Sequence, residues 1–471
     1  MIKSVPVRLK GRPYPIYIGS GSLAQLSKYI VQHKLTGTAL IVSQEPIWKA
    51  WGPTVKSQLA AAGVGTANFT APAKLDSEKL KSYPYFLKIL DTLIKAERGS
   101  RGVFIVALGG GVVGDVAGFV AAVYKRGIPF IQIPTTLTAQ VDSSIGGKTA
   151  IDLPQGKNLL GAFHQPKFVL SDARALSTLP EAIYRDGLAE VVKYGVISDA
   201  KFLTWIEKNL PAILRRDEAA IEKMVTVSSR IKAKVVAGDE LDTRGIRIIL
   251  NYGHTIGHAL EAAAGFAALS HGRAVAIGMC AAADLSVRMG VLKETDFPSR
   301  LRKILRALGL PTQISAKLNR KKVLEAIFYD KKRKDGCHRF VLVERAGKTR
   351  IHPDVPSDAI DGVVKALYEK GGGKPSVSAG LLAHLFKPSA KKHQARGVVE
   401  NYLDRIGVAI IRWEKGSLKK GDPMIIEGPA TRLQLEAGSL QINRVDVARV
   451  KRGDVFGMKV PAPVRAGDKV I

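Results

Sequence analysis

The sequence predicts an α/β domain, then a mainly helical domain, then a small all-β barrel. Three observations carry this. Short apolar runs such as Tyr14–Gly19 (YPIYIG) and Thr38–Ser43 (TALIVS) alternate with helical-period segments in the first part of the chain. From Leu179 to about Leu310 the periodicity is helical almost throughout, as in Pro180–Ile197 and His271–Gly290. Past a break at residues 369–380, rich in glycine and small polar residues, short alternating strands appear (Gly407–Trp413, Asp422–Gly428), punctuated by Gly-Asp turns at 421–422, 453–454 and 467–468. The predicted boundaries are 1–178, 179–370, a linker at 371–380, and 381–471.

At 471 residues the chain exceeds what one core sustains, so several domains are expected. Hydrophobic content of 46% and charged content of 24% describe an ordinary soluble globular protein. Two cysteines, Cys280 and Cys337, exclude a disulfide framework and fit a reducing cytoplasm. The N-terminus has no apolar stretch with a small-residue cleavage site, so no secretion signal is expected. The most apolar run, Gly102–Tyr124, contains a glycine cluster and Asp115, which argues for a buried strand, turn and helix rather than a membrane span. The net charge of +31 is dispersed, with +9 in the last 101 residues and +22 in the rest. A dispersed excess favours general attraction to polyanions, but fits a basic proteome equally.

Taking the elements in order, Gly102–Leu108 (GVFIVAL) is a buried strand by its β-branched and aromatic content, and Pro129–Leu137 (PFIQIPTTL) is the next. Between them Gly109-Gly110-Gly111-Val112-Val113-Gly114 satisfies GxGxxG and opens a helix, so backbone N–H groups can receive a pyrophosphate. The acid expected about twenty residues on is not evident. Val141–Asp152 (VDSSIGGKTAID) has Gly147, Lys148 and Thr149 in P-loop order, yet Asp142 stands where the loop needs its first glycine, and a carboxylate there would face the phosphates. An ATPase reading is therefore rejected.

Three of the nine histidines fall between His254 and His271. His254 and His258 are four apart on a predicted helix and share a face, and His271 is expected in the loop that follows. Imidazoles at this spacing suit a metal, with Glu190, three residues before Lys193 on another helix, as the acid that completes the set. The same pattern also fits satisfied capping histidines and a surface Glu–Lys pair.

The runs ALGGGVVGDVAGFVAAVYKRG, IPTTLTAQVDSSIGGKTAIDLPQGKNLLGAFHQP, GLAEVVKYGVI, NYGHTIGHALE and HGRAVAIGM resemble, in order, the motifs of the 3-dehydroquinate synthases of the shikimate pathway across residues 1 to about 370. The resemblance implies an α/β domain binding NAD, a helical domain holding a divalent metal (zinc or cobalt), and a homodimer. It implies Glu190, His254 and His271 as metal ligands. It places Gly110 and Gly111 at the pyrophosphate, with Asp115, Thr135 and Thr136 nearby. Asp76–Ser82 (DSEKLKS) resembles the family's Asp-Gly-Glu-x-x-Lys segment, making Glu78 and Lys81 adenosine-side contacts, with Ser77 in place of the glycine.

The same resemblance assigns Lys148 to the phosphate of a sugar phosphate and Asp142 to a hydroxyl. Lys157, Asn158, Asn251, His258 and Lys331 are the remaining phosphate and hydroxyl contacts, Lys193 joins the catalytic set, and Lys232 and Arg247 clamp a carboxylate. Arg126, in YKRG, matches an arginine that the family inserts into the neighbouring subunit's site. Arg273 stands where the family usually has Glu, and related cyclases that make valiolone or deoxy-inosose rings vary there, so another sugar phosphate is the alternative substrate. The tail from Gly407 to Ile471, with LKKGD, SLQINR and KRGDVFGMKV, resembles the second-domain β-barrel of translational GTPases and the end domain of some collagenase-like peptidases. A nucleic-acid or ribosome contact is expected only through that barrel, and no membrane contact is expected.

Overall fold

The computed structural model describes residues 2–73, 75, 77–265, 268–328, 338–368, 396–403, 406–428, 431–443, 445–460 and 464–470. Residues 1–372 and 373–471 form two compact units. The 371–380 segment, Lys331 and Cys337 lie outside the described residues.

The first unit is built on a seven-stranded sheet. Its strands are β1 (Lys3–Val7), β2 (Tyr14–Ile18), β3 (Thr38–Gln44), β4 (Gly65–Ala71), β5 (Val103–Gly109), β6 (Phe130–Pro134) and, after the β7–β8 hairpin (Lys148–Leu153, Gly156–Phe163), β9 (Val169–Ser171). The order is β1-β2-β9-β6-β5-β3-β4, parallel except for β1 against β2. Every residue of β5 is buried, as a central parallel strand requires when both sheet faces are covered. Side chains alternate between two cores. Leu40, Val42, Ile105 and Ala107 meet α3 (Tyr83–Glu97) and α4 (Gly111–Val123), whereas Ala39, Ile41, Phe104 and Val106 meet α1 (Leu26–Gln32) and α2 (Glu45–Ala61).

The strand order reverses between β3 and β5, and the glycine turn sits at the carboxyl end of β5, where an open α/β sheet leaves a crevice. The apolar run that mimics a membrane span is β5 and α4. Among the described residues, no helix is long and apolar enough to cross a membrane.

The helical part comprises α5 (Glu181–Ser198), α6 (Ala200–Lys208), α7 (Leu210–Leu214), α8 (Glu218–Gly238), α9 (His254–Ala263), α10 (His271–Arg288), α11 (Phe297–Ala307) and α12 (Arg320–Phe328), followed by the β10–β11 hairpin (His338–Arg345, Lys348–Val355) and α13 (Ser357–Leu367). One core joins these helices to Val5, Val7, Ile16 and Ile18, so the helical part docks on the antiparallel β1–β2 end of the sheet. α5 is buried all round from Gly187 to Ile197. A helix so placed can carry Glu190 and Lys193 only if they are paired. One expectation is corrected: His271 is not in a loop but is the first residue of α10.

The second unit contains β12 (Gly397–Leu403), β13 (Val408–Trp413), β14 (Ser417–Lys419), β15 (Pro423–Gly428), β16 (Thr431–Glu436), β17 (Gln441–Ile442), β18 (Val445–Asp446), β19 (Arg449–Lys451), β20 (Val455–Lys459) and β21 (Lys469–Val470). An antiparallel eight-stranded sheet, β16-β15-β21-β12-β13-β20-β17-β18, and a separate β14–β19 ribbon enclose Trp413, Met424, Phe456 and Met458. The three Gly-Asp turns share one geometry. Gly421, Gly453 and Gly467 have φ of 91°, 94° and 93°, which β-carbon-bearing residues resist. Each following Asp accepts the backbone N–H three residues back, Asp422 from Lys419 at 2.8 Å, Asp454 from Lys451 at 2.7 Å and Asp468 from Arg465 at 2.9 Å.

Candidate active site

One helix, α5, carries Glu190, and the starts of α9 and α10 bring His254 and His271 to it. α9 begins after Gly253, whose φ of 78° and close approach to Met279 (2.7 Å from an added Cβ) leave room for glycine alone. His254 Nε2 and His271 Nε2 each lie 3.6 Å from Glu190 Oε1, too far for a hydrogen bond. That oxygen is buried without a hydrogen-bond partner. The three donor atoms lie within 4.8 Å of one another. A buried, unpartnered carboxylate oxygen facing two imidazole nitrogens fits a divalent metal, since such a set lacks only a cation to satisfy it. The far nitrogens are fixed, His254 Nδ1 on the Tyr252 carbonyl at 3.1 Å and His271 Nδ1 on Glu261 Oε2 at 3.2 Å, leaving Nε2 of each for the centre.

His258 packs beside both, with ring centroids 5.3 Å from His254 and 5.9 Å from His271. Lys193 pairs with the other oxygen of Glu190, and the two side chains are 2% and 1% exposed. Burial opposes ionisation of Glu190, but Lys193 and the two imidazoles outweigh it and hold the carboxyl well below its usual range. Burial and Lys193 push His254 down to about 3, so it is neutral. Burial also lowers His271, yet Glu190 and Glu261 on either side raise it to about 10.

A cavity of about 560 Å³ is lined by Asp115, Asp142, Ser143, Lys148, Asn158, Lys232 and Arg247, among others. Asp142 is held by Lys232, which donates at 2.7 Å to its carbonyl and at 2.7 Å to Oδ1, and by the hydroxyl of Tyr194. Burial works against its charge, but Lys232 and Lys193 lower it to about 2. Arg247 is buried with Nε unpartnered, and its backbone loop is folded around Asp239, which accepts from Thr243, Arg244, Ile246 and Arg247 N–H groups. The stretch that imitates a P-loop is instead one π-helical turn, Ala139–Ser143, and a bend at Gly146 and Gly147 (φ 108° and 67°) leading into the β7–β8 hairpin. Lys148 stands at its start, exposed, and pairs with Asp242 at 2.5 Å.

On the sheet side, Gly110 caps α4 without a side chain, leaving the first N–H groups open. A Cβ at Gly110 would lie 2.9 Å from Thr136, and one at Gly111 2.7 Å from Ser143, so only a bare backbone lines this cradle, which fits a pyrophosphate. Thr135 is buried beside it, with its hydroxyl unpartnered. Lys81 donates to Asp115 at 2.8 Å and to Asn158, and Lys157 pairs with Glu78 at 2.8 Å, so the hairpin is tied to the Ser77–Lys81 turn. Asn251 is exposed and does not line the main cavity, and Arg126 projects into solvent from a turn where Lys125 and Arg126 have φ of 49° and 64°.

Sequence reasoning missed four residues. Tyr194 fixes Asp142, Glu261 orients His271, Asp242 meets Lys148, and Asp186 accepts from Arg273 N–H at 3.0 Å and from Ser270, tying α10 to α5. Helical spacing held a signal for two of them: Asp186 is four residues before Glu190, and Glu261 three after His258.

Family models for the N-terminal and C-terminal parts of 3-dehydroquinate synthase match residues 73–186 and 187–333. A 3-dehydroquinate synthase of Symbiobacterium thermophilum is 46% identical over 75% of this chain and 98% of its own length. One from Desulforamulus reducens is 44% identical over 75% of this chain and 96% of its own. Among solved structures, 2-deoxy-scyllo-inosose synthase complexed with carbaglucose-6-phosphate, NAD+ and Co2+ superposes with a TM-score of 0.69 at 26% identity, covering 78% of this chain and 99% of that one. With the glycine cradle, the Glu-His-His cluster and the cationic cleft all present in one unit, and with these matches, the chain belongs to the 3-dehydroquinate synthase family.

Proposed function

We propose that this protein is a 3-dehydroquinate synthase, converting 3-deoxy-D-arabino-heptulosonate 7-phosphate to 3-dehydroquinate and phosphate. The observation that carries the reading is that α5 holds both Glu190 of the Glu190–His254–His271 cluster and Tyr194, whose hydroxyl donates to Asp142 in the cleft that also holds Lys148, Lys232 and Arg247. A phosphate and a carboxylate on one small substrate need several fixed cations. Glu190, His254 and His271 would hold a divalent metal, zinc or cobalt, and Gly110, Gly111 and Thr135 would receive NAD. Those groups supply Lewis acidity and a reversible hydride acceptor when bound.

The chain's own residues do the rest. Lys232 and Arg247 hold the carboxylate, and Lys148, Lys157 and Asn158 hold the phosphate, each lysine exchanging its present acidic partner for the substrate. Asp142, ionised and held by Lys232 and Tyr194, accepts a hydrogen bond from a ring hydroxyl. His258, beside the metal cluster, contacts the phosphate or a hydroxyl, where its imidazole can carry a proton. Arg126, exposed without an ion pair among the described residues, supports a homodimer in which it reaches the neighbouring site. A cytoplasmic location accords with the cysteine content. The likeness to an inosose synthase and Arg273 favour a second reading, a cyclase for another sugar phosphate. Protein supplied with NAD and zinc or cobalt is expected to release phosphate from the heptulosonate phosphate and form dehydroquinate. Release from sedoheptulose 7-phosphate alone would establish the second reading instead.

A further inference from the structure

The second unit carries a charge arrangement that its own folding does not need. In the β14–β19 ribbon Ser417 faces Lys451, Leu418 faces Val450 and Lys419 faces Arg449. Leu418 and Val450 are buried in the core, which pins the register and turns Lys419, Arg449 and Lys451 together onto the outer face. Lys420 and Arg452 stand at the turns that follow the two strands, and all five cations are exposed. Among the described residues, none of the five forms an ion pair. The nearest acids in sequence, Asp422 and Asp454, are engaged by the N–H groups of Lys419 and Lys451. Among the described residues, the Arg449 side chain donates only to Ser417, at 3.1 Å.

Like charges directly opposite across an antiparallel pair are destabilising. Lys419 opposite Arg449, with Lys451 about 7 Å further along the strand, is a repulsive set that an external anion would relieve. Donors that stand in a row along a ribbon, rather than converging on a point, suit a polymer with regularly repeated charge and not a single small anion. A bilayer surface would need an apolar anchor beside the basic patch, and the ribbon's apolar residues face inward. We propose that this ribbon is a docking surface for the sugar-phosphate backbone of a nucleic acid. It offers no aromatic ring for base stacking, so it reads charge and spacing rather than sequence.

The test is the salt dependence of binding by the full chain to a labelled single-stranded RNA and to a DNA duplex of mixed sequence. A Lys419→Glu/Arg449→Glu/Lys451→Glu variant is compared with a Lys28→Glu/Lys56→Glu/Lys303→Glu control, whose lysines are exposed in the first unit. The ribbon variant is expected to flatten the slope of log affinity against log salt by roughly 2–3, and the control to leave it unchanged. Arg449→Gln alone, which introduces no new charge, is expected to reduce the slope by roughly 0.7–0.9 and to raise the melting temperature of the second unit by roughly 1–8 °C as repulsion is relieved. Unchanged slopes in Arg449→Gln and the ribbon variant overturn the proposal. So does an equal fall in the control, or binding to anionic vesicles or polyglutamate as tight as to RNA.

Discussion

Glu190 is the residue on which the site turns, because a carboxylate in the fully buried stretch of α5 must find a cation. Lys193 neutralises one oxygen, leaving Oε1 for the two histidines. A graded series follows. His271→Ala is expected to weaken metal binding most, Glu261→Gln by roughly 10–100-fold through loss of the group that orients His271, and His258→Ala little, although turnover falls. Metal content after dialysis orders the three, and equal retention in His271→Ala and His258→Ala would contradict the ligand assignment. pH gives a second check. His271, raised to about 10 between Glu190 and Glu261, must release its proton before Nε2 can ligate. Affinity is therefore expected to rise about tenfold per pH unit between pH 6 and 8, with one proton released per metal bound. Titration calorimetry in buffers of different ionisation enthalpy measures that proton, and a pH-independent affinity would oppose the scheme.

At the scale of elements, the site depends on how closely α10 meets α5 and α9. A Cβ on Gly272 would lie 2.0 Å from the Asp186 carbonyl, and one on Gly278 2.0 Å from the Gly253 carbonyl. Neither obstacle is a flexible side-chain end, so α10 must shift to accept a methyl group. Gly272→Ala is expected to cost about 1–3 kcal/mol of stability and to move His271 away from Glu190. Denaturant unfolding and metal content should therefore fall together, and a stable variant with full metal content would show that the contact is not needed. The elements themselves were largely legible. Helical period marks α5, α9 and α10, and β-branched content marks β5 and β6. The placement of His271 was not, because the run Gly265–Ser270 reads as an ordinary loop and says nothing of the Asp186 contact that starts α10.

The whole molecule divides at Gly372 and Gly373 into two compact units. The two have separate cores, one joining the helices to β1 and β2 and one around Trp413 and Phe456. A chain ending at residue 370 is expected to fold, dimerise and keep most of its turnover, because the candidate ligands and cleft residues lie within the first unit. Sedimentation and a phosphate-release assay on that truncation measure both properties. Loss of either would mean that the second unit supports the first, and the proposed ribbon would then need to be judged in the full chain alone.

Local pattern along the chain carries the kind of layer in each region and the family resemblance. Periods of two and 3.6, glycine at forced backbone angles and the order of motifs are all properties of neighbours along the chain. Glu190, His254 and His271 could be nominated from their spacing, whereas Lys148, Lys232 and Arg247 came only with the family resemblance. Which acid serves which cation is set in three dimensions: Lys148 with Asp242, Lys157 with Glu78, Lys81 with Asp115, Asp142 between Lys232 and Tyr194. These partners lie tens of residues apart, and a charge's partner is set by burial and distance in space, neither of which a local pattern encodes. The same holds for the β14–β19 ribbon, where Leu418 and Val450 turn inward and so align three cations that the sequence scatters over more than thirty residues.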